Sequence, residues 1–277
     1  MVTLALLGDI NLGRGVSPTS ASLAYLTPEL RRADLALANL ESPLGESDGT
    51  IAPTGGYDLC APATRAPLLA DWGLDLLSLA NNHALDCGPD GLAQTRAALA
   101  SAGLTALDPN PRPVYRTVKG LRLAFLAFDD ISSPVNTQAA VGLIRAARST
   151  GAVVTVAVHW GNEYQGGADD RQRSLARQFA AAGAALVWGA HPHVIQPAEW
   201  IQTGSQKTLV LYSLGNALFD QPGLADTRRS ALVLVKINRD GVQSARSVSF
   251  TIDVAHNRVV APDDSSAAII RDRLNIP

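Results

Sequence analysis

Apolar runs recur along the chain, and several stop abruptly at polar side chains. Val2–Leu7 meets Gly8-Asp9, Leu35–Ala38 meets Asn39-Leu40-Glu41, and Leu74–Ala80 meets Asn81-Asn82-His83. Val153–Val158 ends at His159, and Ala185–Trp188 leads through Gly189 to His191-Pro192-His193. Short apolar runs bounded by turn residues predict buried strands. Leu121–Phe128 is another, followed by a loop from Asp129. Helices are predicted at Ala21–Arg32, Thr64–Trp72, Gly91–Ala100, Ala139–Arg148 and Arg171–Ala182. Pro89 suits the start of the third helix and Gly103 its stop, while Gly183 closes the last. A loop rich in Pro, Gly and Ser covers residues 42–62, longer than most connections in compact domains.

Further along, Lys207–Tyr212, Ala231–Ile237 and Ala245–Ile252 read as strands with no helix between them. Strand–helix units followed by a strand-rich end predict a layered α/β domain with parallel and antiparallel pairing. No linker divides the chain, so one domain is expected over residues 1–264, with a tail at 265–277 that forms a short helix. In open α/β sheets, sites form beyond the carboxyl ends of the strands. Asp9, Glu41, Asn82, His159 and His191 all lie just past such ends and are expected to meet in space.

Composition changes this picture little. The 277 residues are 47% hydrophobic and 17% charged, which is ordinary for a globular protein. A net charge of −2 offers no basic field for nucleic acid, and none is expected as a partner. Only Lys119, Lys207 and Lys236 among the 23 basic residues are lysines, a bias that fits genome composition better than a phosphate-reading surface. Cys60 and Cys87 are too few for a disulfide scaffold. A bridge between them is open, but Cys87 reads more simply as a small buried apolar side chain. No run reaches the roughly 18 apolar residues of a membrane span. The start lacks the positive flank of a signal peptide, so a soluble, cytoplasmic chain is expected unless an upstream anchor has been removed.

The polar clusters carry the chemistry. Carboxylates such as Asp9 and Glu41 can bridge divalent cations, neutral imidazole ligates Zn, Mn or Fe, and an Asn amide oxygen suits the harder ions. In His191-Pro192-His193 the proline stiffens the turn; in an extended backbone both imidazoles would point the same way. Each cluster alone has an ordinary reading. Asn81 can cap a helix, His159 can be a satisfied strand-end histidine, Asp9 can serve a turn, Glu41 can be a solvated loop residue, and His191 and His193 can lie on a surface loop. All five clusters together, each at a strand end, point to a metal site. His256 lies outside the pattern and reads as a surface residue.

The motifs also carry a resemblance. Gly8-Asp9-Ile10-Asn11-Leu12-Gly13-Arg14, Ala38-Asn39-Leu40-Glu41-Ser42-Pro43-Leu44 and Ser78-Leu79-Ala80-Asn81-Asn82-His83-Ala84-Leu85-Asp86 resemble the bacterial capsule-synthesis family called CapA or PgsA. His159-Trp160-Gly161-Asn162-Glu163-Tyr164, Gly189-Ala190-His191-Pro192-His193-Val194 and Tyr212-Ser213-Leu214-Gly215-Asn216 follow in the same order, so that the resemblance covers about residues 3–221. That family is similar to the calcineurin-like metallophosphoesterases. The resemblance therefore implies a four-layer α/β/β/α sandwich of two mixed sheets, and two divalent ions (Mn, Fe or Zn). It implies that Asp9 binds one ion, Glu41 bridges both, Asn82, His159 and His191 hold the second, and His193 returns to the first. A bridging hydroxide would attack phosphorus in line, with His83 beside the substrate as acid or transition-state stabiliser.

Several further expectations follow. Arg14 is a candidate bidentate clamp for phosphate or carboxylate, with a solvated arginine as the alternative. Asn11 stands where the broader phosphoesterases carry a histidine, which implies a weaker ligand for the first ion. Glu41 replaces their usual aspartate. Glu163 and Asp86 are candidates to orient ligand imidazoles, and Tyr212–Asn216 is expected to form a tight turn at the cleft with Gly215 at positive φ. Two functions remain in view. One is metal-dependent hydrolysis of a phosphoester or related linkage; the other is non-catalytic binding of an anionic polymer in poly-γ-glutamate or capsule assembly. Either implies an anionic small-molecule or polymer partner.

Overall fold

The computed structural model describes residues 1–46, 56–110 and 112–276. Its centre is β1 (Val2–Ile10), of which only Thr3 is not fully buried. Leu4 and Leu6 face one apolar cluster while Ala5 and Leu7 face another. A strand covered on both faces reads as a continuous apolar run, as this one does. It pairs in parallel with β2 (Leu35–Leu40), which pairs with β3 (Leu76–Ser78) and then β4 (Thr105–Leu107).

The chain then builds a second sheet from β5 (Val114–Val118), β6 (Leu121–Asp129), β7 (Val153–His159), β8 (Ala184–Ala190), β9 (Ile195–Thr203) and β10 (Gln206–Leu214). Its order is β5-β6-β7-β8-β10-β9; the four inner strands are parallel and both edge strands antiparallel. Returning to the first sheet, β11 (Asn216–Leu218) pairs with β1 at Asp9, while β12 (Arg229–Asn238), β13 (Gly241–Asp253) and β14 (Arg258–Val260) add antiparallel strands. That sheet reads β14-β13-β12-β1-β2-β3-β4, with β11 beside β1.

Helices cover the outer faces. Leu30 of α1 (Thr27–Arg32), Leu69 of α2 (Ala66–Asp71) and Leu99 of α3 (Gly91–Ser101) pack with Ala5, Leu7 and Leu77. Ile144 of α4 (Thr137–Ser149) and Phe179 of α5 (Asp170–Ala182) pack with Leu126 and Val154. Between the sheets Leu4, Leu37, Phe125, Leu211 and Val233 form one cluster, joined by Ile270 and Leu274 of α6 (Asp264–Leu274). The architecture is the expected four-layer α/β/β/α sandwich of two mixed sheets. Among the described residues no helix is long and apolar enough to cross a membrane.

Local chemistry explains where the elements stop. Asp169 caps α5 in a reciprocal capping box with Gln172, and Gly183 closes it at φ 105°. The helix expected over Ala21–Arg32 is helical only from Thr27, and residues 20–26 are turns. Pro28 lies in the first turn, where its missing N–H costs nothing, and the residue before a proline is biased away from helix. The Trp72 indole takes up the Thr19 carbonyl at 3.0 Å. β9 had no apolar run to announce it: it is an edge strand, which tolerates Pro197 and mixed burial.

The reading of Cys87 as an unpaired buried side chain is overturned, because Cys60 and Cys87 form a disulfide with Cα atoms 4.9 Å apart. Composition says nothing about which distant segments meet. Here Ala61 runs beside Leu44, and Leu59 donates its N–H to Asp86, which brings the two cysteines together. Residues 47–55 of the predicted loop 42–62 lie outside the described residues.

Candidate metal centre

The site begins where β1 changes partners. Val2–Leu6 pair with β12, whereas Asp9 and Ile10 pair with β11. The changeover falls at Gly8, where a Cβ would collide with the Gly215 carbonyl; Gly215 itself has φ 73°. This crossing irregularity re-aims the strand end and delivers Asp9, fully buried, into the gap between the sheets. Asn39 at the end of β2 donates to Asp9 Oδ1 at 2.8 Å, and the His191 amide reaches Oδ2 at 3.2 Å.

Glu41 follows β2 and is 1% exposed. Neither carboxylate oxygen has a hydrogen-bond partner among the described residues. A buried charge without partners is costly, and such charges are found paired or on metals. Glu41 belongs to both buried donor groups that could hold an ion: one with His191 and His193, the other with Asp9 and His159. Within each group the donor atoms lie within 4.8 Å of one another, and His193 Nε2 stands 3.6 Å from Glu41 Oε1. Ligands about 2.1 Å from a common ion stand at most about 4.2 Å apart, so the 3.6 Å pair fits as it stands and the 4.8 Å bound would need only slight closing around an ion.

The histidines arrive by an unexpected backbone. His191 and His193 are not extended; both have positive φ, at 98° and 58°. Arg14 and Tyr164, at 47° and 63°, share that rare conformation at the same cleft. Each such residue stores about 1–3 kcal/mol of strain, a cost that concentrates at working sites. Tyr164 N–H to the Pro192 carbonyl, at 2.9 Å, helps hold the turn. His193 Nδ1 lies 2.9 Å from Asn216 Oδ1. The Asn216 amide nitrogen donates to Gln221 and to the Thr227 carbonyl, so its oxygen must accept and His193 Nδ1 must carry the proton. The lone pair at Nε2 is thereby aimed at Glu41.

Burial dominates the electrostatics. It pushes the Asp9 carboxyl up to about 7, despite hydrogen bonds from Asn39 and the His191 amide. It raises Glu41 well above the carboxylate range, with the Asp9 charge adding to the effect. It lowers His191 and His193 to about 4 and shifts His159 in the same direction. Neutral imidazoles beside carboxylates that resist ionisation form a donor set suited to a cation, which would stabilise both carboxylates in their charged form. The residues present therefore fit divalent ions.

The structure places the other expected residues at several points around the cleft. Asn82 Oδ1 lies 2.8 Å from His159 Nε2. His83 directs Nε2 toward Glu41 Oε1 at 4.0 Å, and Asp86 holds its Nδ1 at 2.7 Å. Glu163 lines the cleft, and its charge acts on Asp9, Glu41 and His191. Asn11 is buried nearby, but its Oδ1 accepts the Gly13 amide and its Nδ2 donates to Asp220. Arg14 lines the cleft with its guanidinium held by both oxygens of Asp220, at 2.7 and 2.5 Å. The cleft over the site encloses about 340 Å³. Asp220 and the role of Asn216 escaped sequence reasoning. Their signal was the one used elsewhere, since both follow the apolar ends of β10 and β11.

Residues 3–221 match the profile of the family described as bacterial capsule synthesis protein PGA_cap. The chain is 31% identical to the PGA biosynthesis protein CapA of Bacillus subtilis, across 95% of this chain and 74% of that protein. It is 29% identical to the capsule biosynthesis protein CapA of Bacillus anthracis, across 87% of this chain and 65% of that protein. A probable polyglutamine synthesis accessory protein of Mycobacterium tuberculosis is 26% identical, across 84% and 68%. The fold is shared at 15% identity with a hypothetical protein of Thermus thermophilus, at a TM-score of 0.58 over 90% of this chain and 99% of that one. It is also shared with the sulfate thiohydrolase SoxB of that organism, at 15% identity and a TM-score of 0.51 over 92% and 46%. Motif order, profile match and relatives agree: this chain belongs to the bacterial capsule synthesis protein family.

Proposed function

We propose that the chain is a metal-dependent hydrolase of the phosphoester type, with two divalent ions held by Asp9, Glu41, Asn82, His159, His191 and His193, and with Asn11 as a weak additional donor. The observation that carries this reading is Glu41, with both oxygens buried, unpartnered and common to two donor groups. Divalent ions there would supply Lewis-acid stabilisation of an anionic oxygen and lower the pKa of water. The residues do the rest. Asp86 orients His83 so that Nε2 faces the cleft, where in its imidazolium form it can give the Nε2 proton to a leaving oxygen. Asn39 and Asn216 fix Asp9 and His193. Arg14 sits at the cleft mouth to steer an anionic group, sharing its charge with Asp220.

The names of the relatives favour a second reading, non-catalytic binding of an anionic polymer during poly-γ-glutamate or capsule assembly. The retained His83–Asp86 pair weighs against it, because binding alone does not call for an oriented acid. Elemental analysis combined with a manganese-supplemented assay on an aryl phosphodiester and monoester separates the two. Near two ions per chain with turnover supports the hydrolase; bound metal without turnover supports the binding role. A protein that takes up no divalent ion overturns both assignments of the site.

A further inference from the structure

The Cys60–Cys87 disulfide stands beside the cleft. On one side of the crosslink, Tyr57 and Leu59 line the cleft. On the other, Cys87 follows Asp86, whose Oδ2 holds His83 Nδ1 at 2.7 Å. The same oxygen accepts the Leu59 amide at 2.9 Å. Disulfide and hydrogen bond are thus adjacent ties between the same two segments, Leu59-Cys60 and Asp86-Cys87. A hydrogen bond alone is a weak tether; its covalent neighbour keeps it formed.

The wall segment is fitted on its other side as well. A Cβ on Gly13 would strike the carbonyl oxygens of Leu59 and Cys60, and the Tyr57 ring lies 4.9 Å from the Arg14 guanidinium carbon. Gly91 leaves the space that the Cys87 Cβ fills. Cys87 is buried, whereas Cys60 is partly exposed.

We propose that this disulfide is a redox-dependent positioning element: oxidised, it holds Asp86 and therefore His83 in place against the cleft wall; reduced, it releases them. The proposal rests on the hydrolase reading for its kinetic consequence only. It places the competent form of the chain in an oxidising compartment, where disulfides persist, and not in the cytosol. The chemistry is thiol–disulfide exchange. A dithiol thiolate attacks one sulfur, the S–S bond breaks through a mixed disulfide, and the reductant closes to a cyclic disulfide. Two electrons pass to Cys60 and Cys87, and the two protons of the dithiol end on their thiols.

The test uses the full chain with manganese bound, before and after dithiothreitol, alongside the Cys60→Ser/Cys87→Ser double variant. Denatured, unreduced protein should show no free thiol, and reduced protein two. Reduction should speed hydrogen exchange at the Leu59 amide and in residues 83–87, and re-oxidation should reverse it. On an aryl phosphodiester, kcat should fall by about tenfold or more on loss of position, with KM and metal content unchanged. The double variant should match the reduced enzyme and ignore dithiothreitol. Two free thiols in unreduced protein would overturn the proposal, as would unchanged exchange after reduction. If neither redox form turns over, the hydrolase reading fails, and the exchange data alone decide whether the crosslink positions the segment.

Discussion

Asn216 accepts the Nδ1 proton of His193 at 2.9 Å, while its own amide hydrogens are held by Gln221 and the Thr227 carbonyl. A residue beyond the last metal-type motif thus decides which nitrogen of His193 faces Glu41. Replacing Asn216 with Ala should weaken divalent-ion binding by about 10–100-fold. Asn216→Asp keeps an acceptor for His193 but sets its second oxygen against the Thr227 carbonyl, so it should recover only part of the affinity. Titration with manganese measures both, and equal affinity in wild type and Asn216→Ala would remove the assigned role.

His83 and His191 should separate chemistry from binding. His83→Ala is expected to keep its metal and lose about 10²–10⁴-fold in turnover, the usual contribution of an acid–base group. His191→Ala should lose metal, because its imidazole belongs to one of the two donor groups around Glu41. Elemental analysis and kcat on the same preparations give the answer. Full turnover in His83→Ala would exclude it as the acid.

Gly8→Ala should damage fold and site together. The added Cβ would overlap the Gly215 carbonyl, where β1 exchanges β12 for β11. Backbone cannot swing aside as a flexible side chain does, so a loss of about 3 kcal/mol is expected. The urea midpoint should drop and metal content with it, since Asp9 is the next residue. Undiminished stability would mean that the crossing is more accommodating than it looks.

A separate ion-pair cluster gives a pH dependence. Burial nudges Asp226 upward, but hydrogen bonds and charge from Arg229 and Arg273 outweigh it and hold the carboxyl below 3.8. A depressed carboxyl contributes stability that is present above the unfolded value and lost as pH falls through the folded one. The contribution should therefore disappear below about pH 4. Asp226 is 40% exposed, so the effect should stay under about 1 kcal/mol. Unfolding midpoints from pH 5 to 3 should fall more steeply for wild type than for Asp226→Asn; parallel slopes would sink the assignment.

Much of the sandwich was legible because buried parallel strands are written as unbroken apolar runs. Val2–Leu7, Leu121–Phe128 and Val153–Val158 each lie within an observed strand. The edge strand β9 was not legible, because half-exposed residues and a proline erase that signal. Within the site, types and strand-end positions pointed to Asp9, Glu41 and the three imidazoles, which the fold brings together. Contacts made by folding alone stayed hidden. Asp220 meets Arg14 and Asn11 across more than 200 residues, and Cys60 meets Cys87 only because two loops pack. The left-handed turn through His191 and His193 was hidden too, since histidine, though enriched at positive φ, adopts it in only a small share of cases.

The donors around Glu41 come from β1, from the end of β2, from β7 and from the turn between β8 and β9, so strands of both sheets contribute to them. No hairpin or single strand–helix unit contains a complete set. Ion capture at the proposed site would therefore wait until the two sheets have paired and closed on each other, and a partly assembled chain would offer a cation only fragments of the donor set. Uptake and folding would then be one linked equilibrium, in which each tenfold excess of free ion over its dissociation constant would add about 1.4 kcal/mol to the native state. A retained ion would then be a certificate of completed assembly, readable without any knowledge of what the cleft accepts.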